Sequence, residues 1–449
     1  MSKRKQFRLS PTQIIAVVFA AIILLGTVLL VLPISSRTGE SIGLLPALFT
    51  ATSATCVTGL TAGDTYTLFS GFGQVVIITL IEIGGLGFMS VASLVIFALR
   101  KKIGLRQRMV MAQALSINEM ASVVRLQKWV LLGSLVVQLS GALILFLHFL
   151  PEFGWLTAVK WGAFHSVSAF CNAGFDIFGV LEPGASVTMF QNDPVVLLTL
   201  MTLVVVGGLG FFVWQEVVTE HSFKRLSVYT KLVLITSGVL IVGGAGLFML
   251  LEWNNPGTIG NLSVGGKILN SFFQSVSLRT AGFSSFDQAA LTDAGKGVSI
   301  AFMLIGGSSG STAGGAKTVT FVVLALFLLA RSRGKSTVSI FKRTISADKI
   351  MDAVTIISIM VSLALAGAVF ITATCPVGFT DALYEAVSAL ATVGNSAGVT
   401  PLLSTSARLL IIVFMYFGRV GILTISLGFL MGNKAEDRYQ YATTNLLIG

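Results

Sequence analysis

The chain has 449 residues, 54% of them hydrophobic and only 11% charged, whereas an ordinary soluble domain carries about 25% charged residues. Apolar runs of about 20 residues, long enough to cross a bilayer, recur along the chain and indicate an integral membrane protein. The net charge of +11 does not point to nucleic acid, because the basic residues lie in short connectors beside apolar runs.

Eight spanning helices are predicted, arranged in four pairs. The first resembles a signal peptide, but it is too long for a signal core and no small-residue cleavage site follows Pro33, so we expect it to be retained. In chain order the pairs are Thr12–Leu32 with Gln74–Leu99, Trp129–Leu150 with Pro194–Val218, Leu232–Leu251 with Val298–Ala330, and Met351–Thr372 with Leu409–Met431.

Each pair encloses a segment of about ten residues, which is too short to span the membrane. It predicts a half-helix that enters the membrane and returns as a loop, and irregular backbone at that depth must be buried in protein or line water. The alternative, four outer loops with helical caps, would make the shared pattern a coincidence. Each segment has an aromatic residue, a serine and a final glycine in nearly constant register, and the glycines recur about every 110 residues. The aromatics are Phe49, Phe164, Phe272 and Tyr384, the serines are Ser53, Ser168, Ser277 and Ser388, and the glycines are Gly59, Gly174, Gly282 and Gly394.

The predicted fold is therefore an all-α membrane protein with four tandem helix–pore loop–helix repeats around one central pore. It has eight spanning helices and four re-entrant half-helices. The predicted parts are a cytoplasmic N-terminus (1–10), repeat 1 (11–99), a connector (100–127), repeat 2 (128–218), a connector (219–230), repeat 3 (231–330), a connector (331–350), repeat 4 (351–431) and a tail (432–449).

Charge predicts the orientation of the chain in the membrane. Most of the 30 Lys and Arg residues lie in the N-terminus, the three connectors between repeats and the tail, whereas the opposite loops are acidic. The positive-inside rule places both termini in the cytoplasm, so the pore loops enter from outside and an acidic outer mouth concentrates cations.

The four glycines predict a cation filter. A dehydrated cation needs oxygens in place of its water, and a ring of backbone carbonyls supplies them where glycine frees the backbone. The half-helix dipoles also direct partly negative ends toward the axis. No carboxylate lies inside the four runs, so a ring of acidic side chains is not expected. The predicted filter residues are Cys56, Val57, Thr58 and Gly59, then Asn172, Ala173 and Gly174, then Thr280, Ala281 and Gly282, and finally Thr392, Val393 and Gly394.

The second helix of each pair carries clustered glycines. In the first two repeats, Gly84-Gly85-Leu86-Gly87 and Gly207-Gly208-Leu209-Gly210, simple close packing between helices is the favoured interpretation. In the third, residues 306–316 should break the helix near the membrane centre, either as a tight packing kink or as a movable loop that obstructs the pore. The predicted gate residues are Gly306, Gly307, Ser308, Ser309, Gly310, Ser311, Thr312, Ala313, Gly314, Gly315, Lys317 and Arg419.

Two arginines lie where charge is costly. Arg419, at the depth of that break, is expected to donate to loop carbonyls or to add a positive barrier, with Glu82 as its most plausible acidic counterpart. Arg279, the one charge in the pore loops, is expected to point away from the axis toward carbonyls or an acidic group.

These motifs together resemble the Trk/Ktr/HKT superfamily of cation transporters, and most closely the membrane subunits of bacterial Ktr potassium uptake systems (KtrB/KtrD-like). The resemblance covers nearly the whole chain. It implies K+ as the transported ion, with K+ bound only at the filter, the four glycines as filter anchors, 306–316 as the gating loop and Arg419 as its partner. It also implies a homodimer in the plasma membrane docked on a cytosolic RCK/KTN-type regulatory ring that binds ATP and ADP, because this chain shows no nucleotide fold and no cofactor of its own.

Two positions depart from the family pattern, Asn395 after the fourth glycine and a tail that lacks prolines. The rival hypothesis is an alternating-access secondary cation symporter, which needs two broken helices in matching positions. An enzyme is not expected, because no nucleophile, base or metal cluster is visible. The sequence leaves a role for Na+ open.

Overall fold

The computed structural model describes residues 10–87, 109 and 123–421, and this part of the chain is mostly helical. Fourteen helices are numbered here in chain order. The first seven are α1 (Pro11–Val31), α2 (Leu44–Cys56), α3 (Thr65–Leu68), α4 (Gly71–Leu86), α5 (Val123–Phe170), α6 (Pro194–Leu209) and α7 (Phe211–Glu220). The others are α8 (Val228–Glu252), α9 (Val264–Ser277), α10 (Asp293–Ile305), α11 (Thr318–Ser332), α12 (Ala347–Thr374), α13 (Phe379–Leu390) and α14 (Thr405–Val420).

Short elements complete the described chain. A hairpin of two two-residue strands, β1 (Ser339–Ile340) and β2 (Arg343–Thr344), lies in the predicted connector 331–350. Single 3-10 turns occur at Pro33–Ser35, Phe178–Val180, Thr188–Phe190, Gln288–Ala290 and Thr400–Leu402.

Four described helices are long and apolar enough to cross a membrane, namely α1, α5, α8 and α12. The pair α6 and α7 makes a fifth candidate, although it is bent by 94°. Each of the four carries exposed aliphatic side chains on its outer face: Leu24, Leu139, Val239 and Val369. Such faces are what a lipid environment covers.

Hydroxyl and carboxylate caps fix where the helices begin. Ser10 closes a capping box on α1 with Gln13, and Asp193 accepts from the backbone N–H groups that open α6. Ser227, Ser263 and Thr292 cap α8, α9 and α10 in the same way. These caps satisfy N–H groups that have no partner inside the helix.

In the second predicted repeat, α5 consists of two helices that meet at a kink, the spanning helix before Gly154 and the pore half-helix after it. In α5 only Gly154, at φ 73°, departs from helical geometry, and Pro151 precedes it. Helix α5 begins at Val123, inside the predicted connector 100–127, and α12 likewise begins inside the connector 331–350.

The prediction of one helix over Pro194–Val218 is wrong. Helix α6 ends at Leu209, Gly210 adopts φ 99°, and α7 leaves at 94°. Helices α4 and α14 also end at positive-φ glycines, Gly87 and Gly421. The predicted continuations to Leu99 and Met431 lie outside the described residues.

Candidate ion pathway

The four pore-loop glycines share one backbone conformation. All have positive φ, 99° at Gly59, 69° at Gly174, 78° at Gly282 and 99° at Gly394. The residue two places before each is also left-handed, and these residues are Val57, Asn172, Thr280 and Thr392. The intervening residue does not have positive φ. The sign of φ therefore alternates along the three residues, and this alternation allows successive carbonyl oxygens to face the same side of the chain.

The four loops meet in a closed cycle. A Cβ placed on Gly59 would lie 2.6 Å from the carbonyl oxygen of Ala173, and one on Gly174 would lie 2.6 Å from that of Ala281. One on Gly282 would lie 2.5 Å from that of Val393, and one on Gly394 would overlap that of Thr58. Each glycine thus touches the carbonyl just before the next, so the site has no room for a side chain. These four glycines are called the pore ring below.

The serines that recur in the four repeats bind each pore loop to its own half-helix. Ser53 Oγ and Ser388 Oγ accept from the N–H groups of Gly59 and Gly394, both at 3.1 Å. In the other two loops the hydroxyl donates to the carbonyl that follows the glycine, Ser168 to Phe175 at 2.6 Å and Ser277 to Phe283 at 2.5 Å. Serine at either of two adjacent positions can therefore hold the loop.

A cavity of about 750 Å³ opens on one side of the pore ring. All four glycines line it, together with carboxylates from three loops: Asp64, Asp176, Glu182 and Asp287. Burial raises the pKa of Asp176 to about 7, the charge of Asp64 adds to that effect, and the Phe178 N–H opposes it. The cavity is negative at neutral pH and favours cations.

On the other side of the ring, residues 306–316 connect α10 and α11 and form what is called the Gly/Ser loop below. Thr312 Oγ1 donates to Phe170 O at 3.1 Å and to Asn172 Oδ1 at 3.0 Å, so the loop bonds directly to the second pore loop. Gly314 leaves no space for a Cβ beside the Thr392 hydroxyl. The loop therefore contacts the base of two pore loops.

Cationic side chains also hold this loop. Arg419 donates to Thr312 O and to the carbonyls of Gly84 and Gly85 at the end of α4, the last at 3.1 Å. Lys317 Nζ donates to Ala313 O at 2.8 Å and Gly314 O at 3.4 Å. The expected pairing of Arg419 with Glu82 is wrong, because Glu82 accepts from Gln138 at 3.0 Å and from Cys171 Sγ at 3.3 Å.

The clustered glycines pack against the last turns of the helices that lead into the pore loops. A Cβ on Gly84, Gly207 or Gly418 would overlap the carbonyl of Thr55, Phe170 or Leu390 respectively. Each of these carbonyls lies four residues before a pore-ring glycine. The interpretation as close packing between helices is confirmed for Gly84 and Gly207, and the partner helices are α2 and α5.

Arg279 does not line the cavity, and its guanidinium binds a serine hydroxyl where carbonyls or an acidic group were expected. It is 4% exposed, its guanidinium donates to Ser237 Oγ on α8 at 2.9 Å, and its carbonyl accepts from Asn172 Nδ2 at 3.3 Å. Ser237 gave no signal in the sequence. Asn395 is buried and does not line the cavity.

A further buried carboxylate was not anticipated. Glu385 on α13 accepts from Ser396 Oγ at 2.7 Å and from the Thr400 hydroxyl. It therefore braces the loop that follows Gly394. Within the described residues no group of three His, Cys, Asp or Glu side chains could hold a metal ion, and Cys56, Cys171 and Cys375 are buried free thiols.

Comparison with known proteins gives the context of this site. The family profile described as TrkH, cation transport protein, matches residues 2–437. The potassium/sodium uptake protein NtpJ of Enterococcus hirae is 39% identical over 100% of this chain and 99% of its own. The Ktr system potassium uptake protein B of Bacillus subtilis is 39% identical over 97% and 96% of the two chains. The crystal structure of the potassium transporter TrkH from Vibrio parahaemolyticus superposes with a TM-score of 0.70 at 18% identity, covering 96% of this chain and 87% of the other.

Proposed function

Since the chain belongs to the TrkH family of cation transport proteins, we propose that it takes up potassium through a pore whose selective part is the pore ring. It is a multi-pass membrane transporter and not an enzyme. The names of the Enterococcus and Bacillus relatives both contain potassium, and the Enterococcus name adds sodium.

The observation that carries the proposal is the closed contact cycle of Gly59, Gly174, Gly282 and Gly394. Four carbonyl oxygens each lie against the glycine of a neighbouring loop, where no side chain fits, and the four glycines line an acidic cavity. Carbonyl dipoles in that arrangement replace the hydration shell of a monovalent cation. Three half-helices, α2, α9 and α13, end just before the ring, and their partly negative ends add to the attraction.

The proposed architecture is four helix–pore loop–helix repeats around that axis. Repeat 1 comprises α1, α2 and α4, and repeat 2 comprises α5 with its Gly154 break, then α6. Repeat 3 comprises α8, α9 and α10 with α11, and repeat 4 comprises α12, α13 and α14. All four pore-ring glycines have positive φ, and this shared conformation supports the assignment.

The Gly/Ser loop is proposed as the gate. Its bonds to Phe170 and Asn172 place it against the base of the ring, and Arg419 joins it to α4 and α14. We further propose plasma-membrane location, a homodimer and a cytosolic RCK/KTN-type ring that carries ATP or ADP. The name of the Bacillus relative, which makes it protein B of a Ktr system, agrees with the presence of partner subunits.

The test is growth at limiting K+ in a host without its own K+ uptake, paired with K+ and Na+ flux. We expect wild type to restore growth and Gly59→Ser to lose preference for K+ over Na+, because a Cβ there would strike the Ala173 carbonyl. A deletion within 306–316 should give deregulated flux.

Gly39→Ser is the matched control. Gly39 also has positive φ, 76°, but no atom lies within 4 Å of its added Cβ. If Gly59→Ser and Gly39→Ser keep the same selectivity, the four-glycine filter is refuted and the alternating-access symporter becomes the leading hypothesis.

A further inference from the structure

Helix α7 and the start of α8 form a rigid corner, defined here as residues 211–230, beside the Gly/Ser loop. Three contacts fix its shape. Trp214 Nε1 donates to Val206 O at 2.8 Å across the break after α6, which holds the 94° bend. Glu216 then accepts from the Ser227 hydroxyl at 2.7 Å and from the Thr230 hydroxyl, so α7 is tied to the first turn of α8.

The corner binds two successive peptide groups of the loop. The Tyr229 hydroxyl donates to Ser309 O at 2.9 Å, and the Phe211 N–H donates to Gly310 O at 2.8 Å. The Tyr229 ring lies edge-on to Phe212, with centroids 6.2 Å apart, so its hydroxyl has a fixed direction. A Cβ on Gly210 would lie 2.9 Å from Ser309 O, which leaves little space between corner and loop.

The rest of the loop has different attachments. Thr312 bonds to the second pore loop and to Arg419, and Ala313 and Gly314 bond to Lys317. Lys317 lies at the start of α11, and the N–H groups of Ser308 and Thr312 donate to Gly208 O at 3.1 Å and Gly207 O at 3.3 Å on α6. Ser309 and Gly310 are therefore the part of the loop whose carbonyls the corner binds.

We propose that Tyr229 is a positioning residue of the gate. When the connector of the corner, residues 221–227, is displaced, the corner transmits that displacement to the Gly/Ser loop. This inference rests on the proposed gating function of that loop. The connector residues from His221 to Arg225 are exposed and include Lys224 and Arg225, so an acidic face of a cytosolic partner can contact them directly. Movement of the connector would shift Ser309 and Gly310 through the hydrogen bonds of Tyr229 and Phe211 and through the close contact at Gly210.

The experiment measures K+ flux in proteoliposomes without any cytosolic partner, comparing wild type with Tyr229→Phe. The substitution removes the phenol hydroxyl and keeps the aromatic ring. If that bond exists only when the loop obstructs the pore, its loss shifts the gating equilibrium about fivefold, which corresponds to about 1 kcal/mol. When only a small fraction of the molecules have an open gate, we expect K+ flux to rise by about that factor. The preference for K+ over Na+ and the thermal unfolding temperature should not change.

Tyr416→Phe is the matched control, because its hydroxyl also donates to a backbone carbonyl, Ala16 O at 2.7 Å, but away from the loop. A second readout is the labelling rate of Ser309→Cys by a thiol reagent. The native cysteines are buried, and we expect Tyr229→Phe to accelerate labelling.

Equal flux and equal labelling in Tyr229→Phe and Tyr416→Phe would overturn the inference while leaving the pore intact. A deletion within 306–316 that leaves flux at the wild-type level would instead refute the gate itself. Raised flux and faster labelling in Tyr229→Phe alone support the role of the corner.

Discussion

Left-handed backbone at residues with side chains is concentrated at the pore ring. Val57, Thr280 and Thr392 are β-branched and still adopt φ between 51° and 67°. Such a conformation costs about 1–2 kcal/mol for each residue. It persists because neighbouring contacts determine it, including the serine bonds to the loops, and strain of this kind concentrates at functional sites.

Asp176 gives the pore a pH dependence. Its pKa of about 7 lies above the ordinary value, so the carboxyl is largely neutral at pH 6 and charged at pH 8. The outer cavity gains negative charge as external pH rises, and we expect the K+ concentration for half-maximal flux to fall by roughly threefold over that range.

Asp176→Asn should flatten this pH profile, whereas Glu40→Gln, at an exposed carboxylate outside the cavity, should not. The measurement is K+ flux in proteoliposomes as external pH is varied at fixed internal pH. If Asp176→Asn keeps the wild-type pH dependence of K+ flux, another titratable group causes that dependence.

At the residue scale, sequence reasoning found positions whose pattern repeats. The glycines, aromatics and serines were visible because four copies could be aligned. Ser237, Glu385 and Tyr229 were not, because each acts once and its partner lies far away in the chain. Arg279 was predicted to turn outward, but only the folded chain identifies a serine on α8 as its partner.

Among the secondary elements, the ends of the second helices were hardest to predict. The sequence Gly-Gly-Leu-Gly-Phe occurs in repeats 1 and 2, and glycine weakens a helix without dictating the direction in which the chain continues. In repeat 2 that direction is fixed by Trp214, which bonds back to Val206. The second break removes one argument against an alternating-access mechanism, and the closed pore ring becomes the main argument for a pore.

Arg419 links three elements, α14, the Gly/Ser loop and α4. We expect Arg419→Lys to raise basal flux, because a compact ammonium cannot match the planar guanidinium that reaches all three carbonyls. Each lost bond contributes about 1 kcal/mol. Flux in proteoliposomes measures the effect.

Arg408→Lys is the control, since this half-buried arginine donates to Pro401 O at 3.3 Å, outside the Gly/Ser loop. If Arg419→Lys behaves as wild type while Arg419→Gln conducts more, the positive charge and not the hydrogen bonds restrains the ion.

For the whole molecule, the distribution of charge predicts which surface faces the cytoplasm. Ser41, near the start of α2, and Ser332, at the end of α11, are both exposed and should lie on opposite sides. In intact cells an impermeant thiol reagent should label Ser41→Cys and leave Ser332→Cys unmodified until the membrane is permeabilised. Labelling of Ser332→Cys in intact cells would contradict the predicted orientation.

The overall helical architecture followed from composition and from the periodic apolar runs. The way in which the pore loops meet did not, because contacts between loops about 110 residues apart depend on the packing of the whole bundle. The sequence predicted that four loops converge, and the structure adds the order in which each one touches the next.

That order has a genetic consequence. The four glycines are encoded separately in one reading frame, so a single codon change alters one quarter of the ring and leaves three carbonyl contacts in place. In an assembly of four identical subunits, the same change would alter every position at once. Ion preference in this chain can therefore evolve in small steps, one loop at a time.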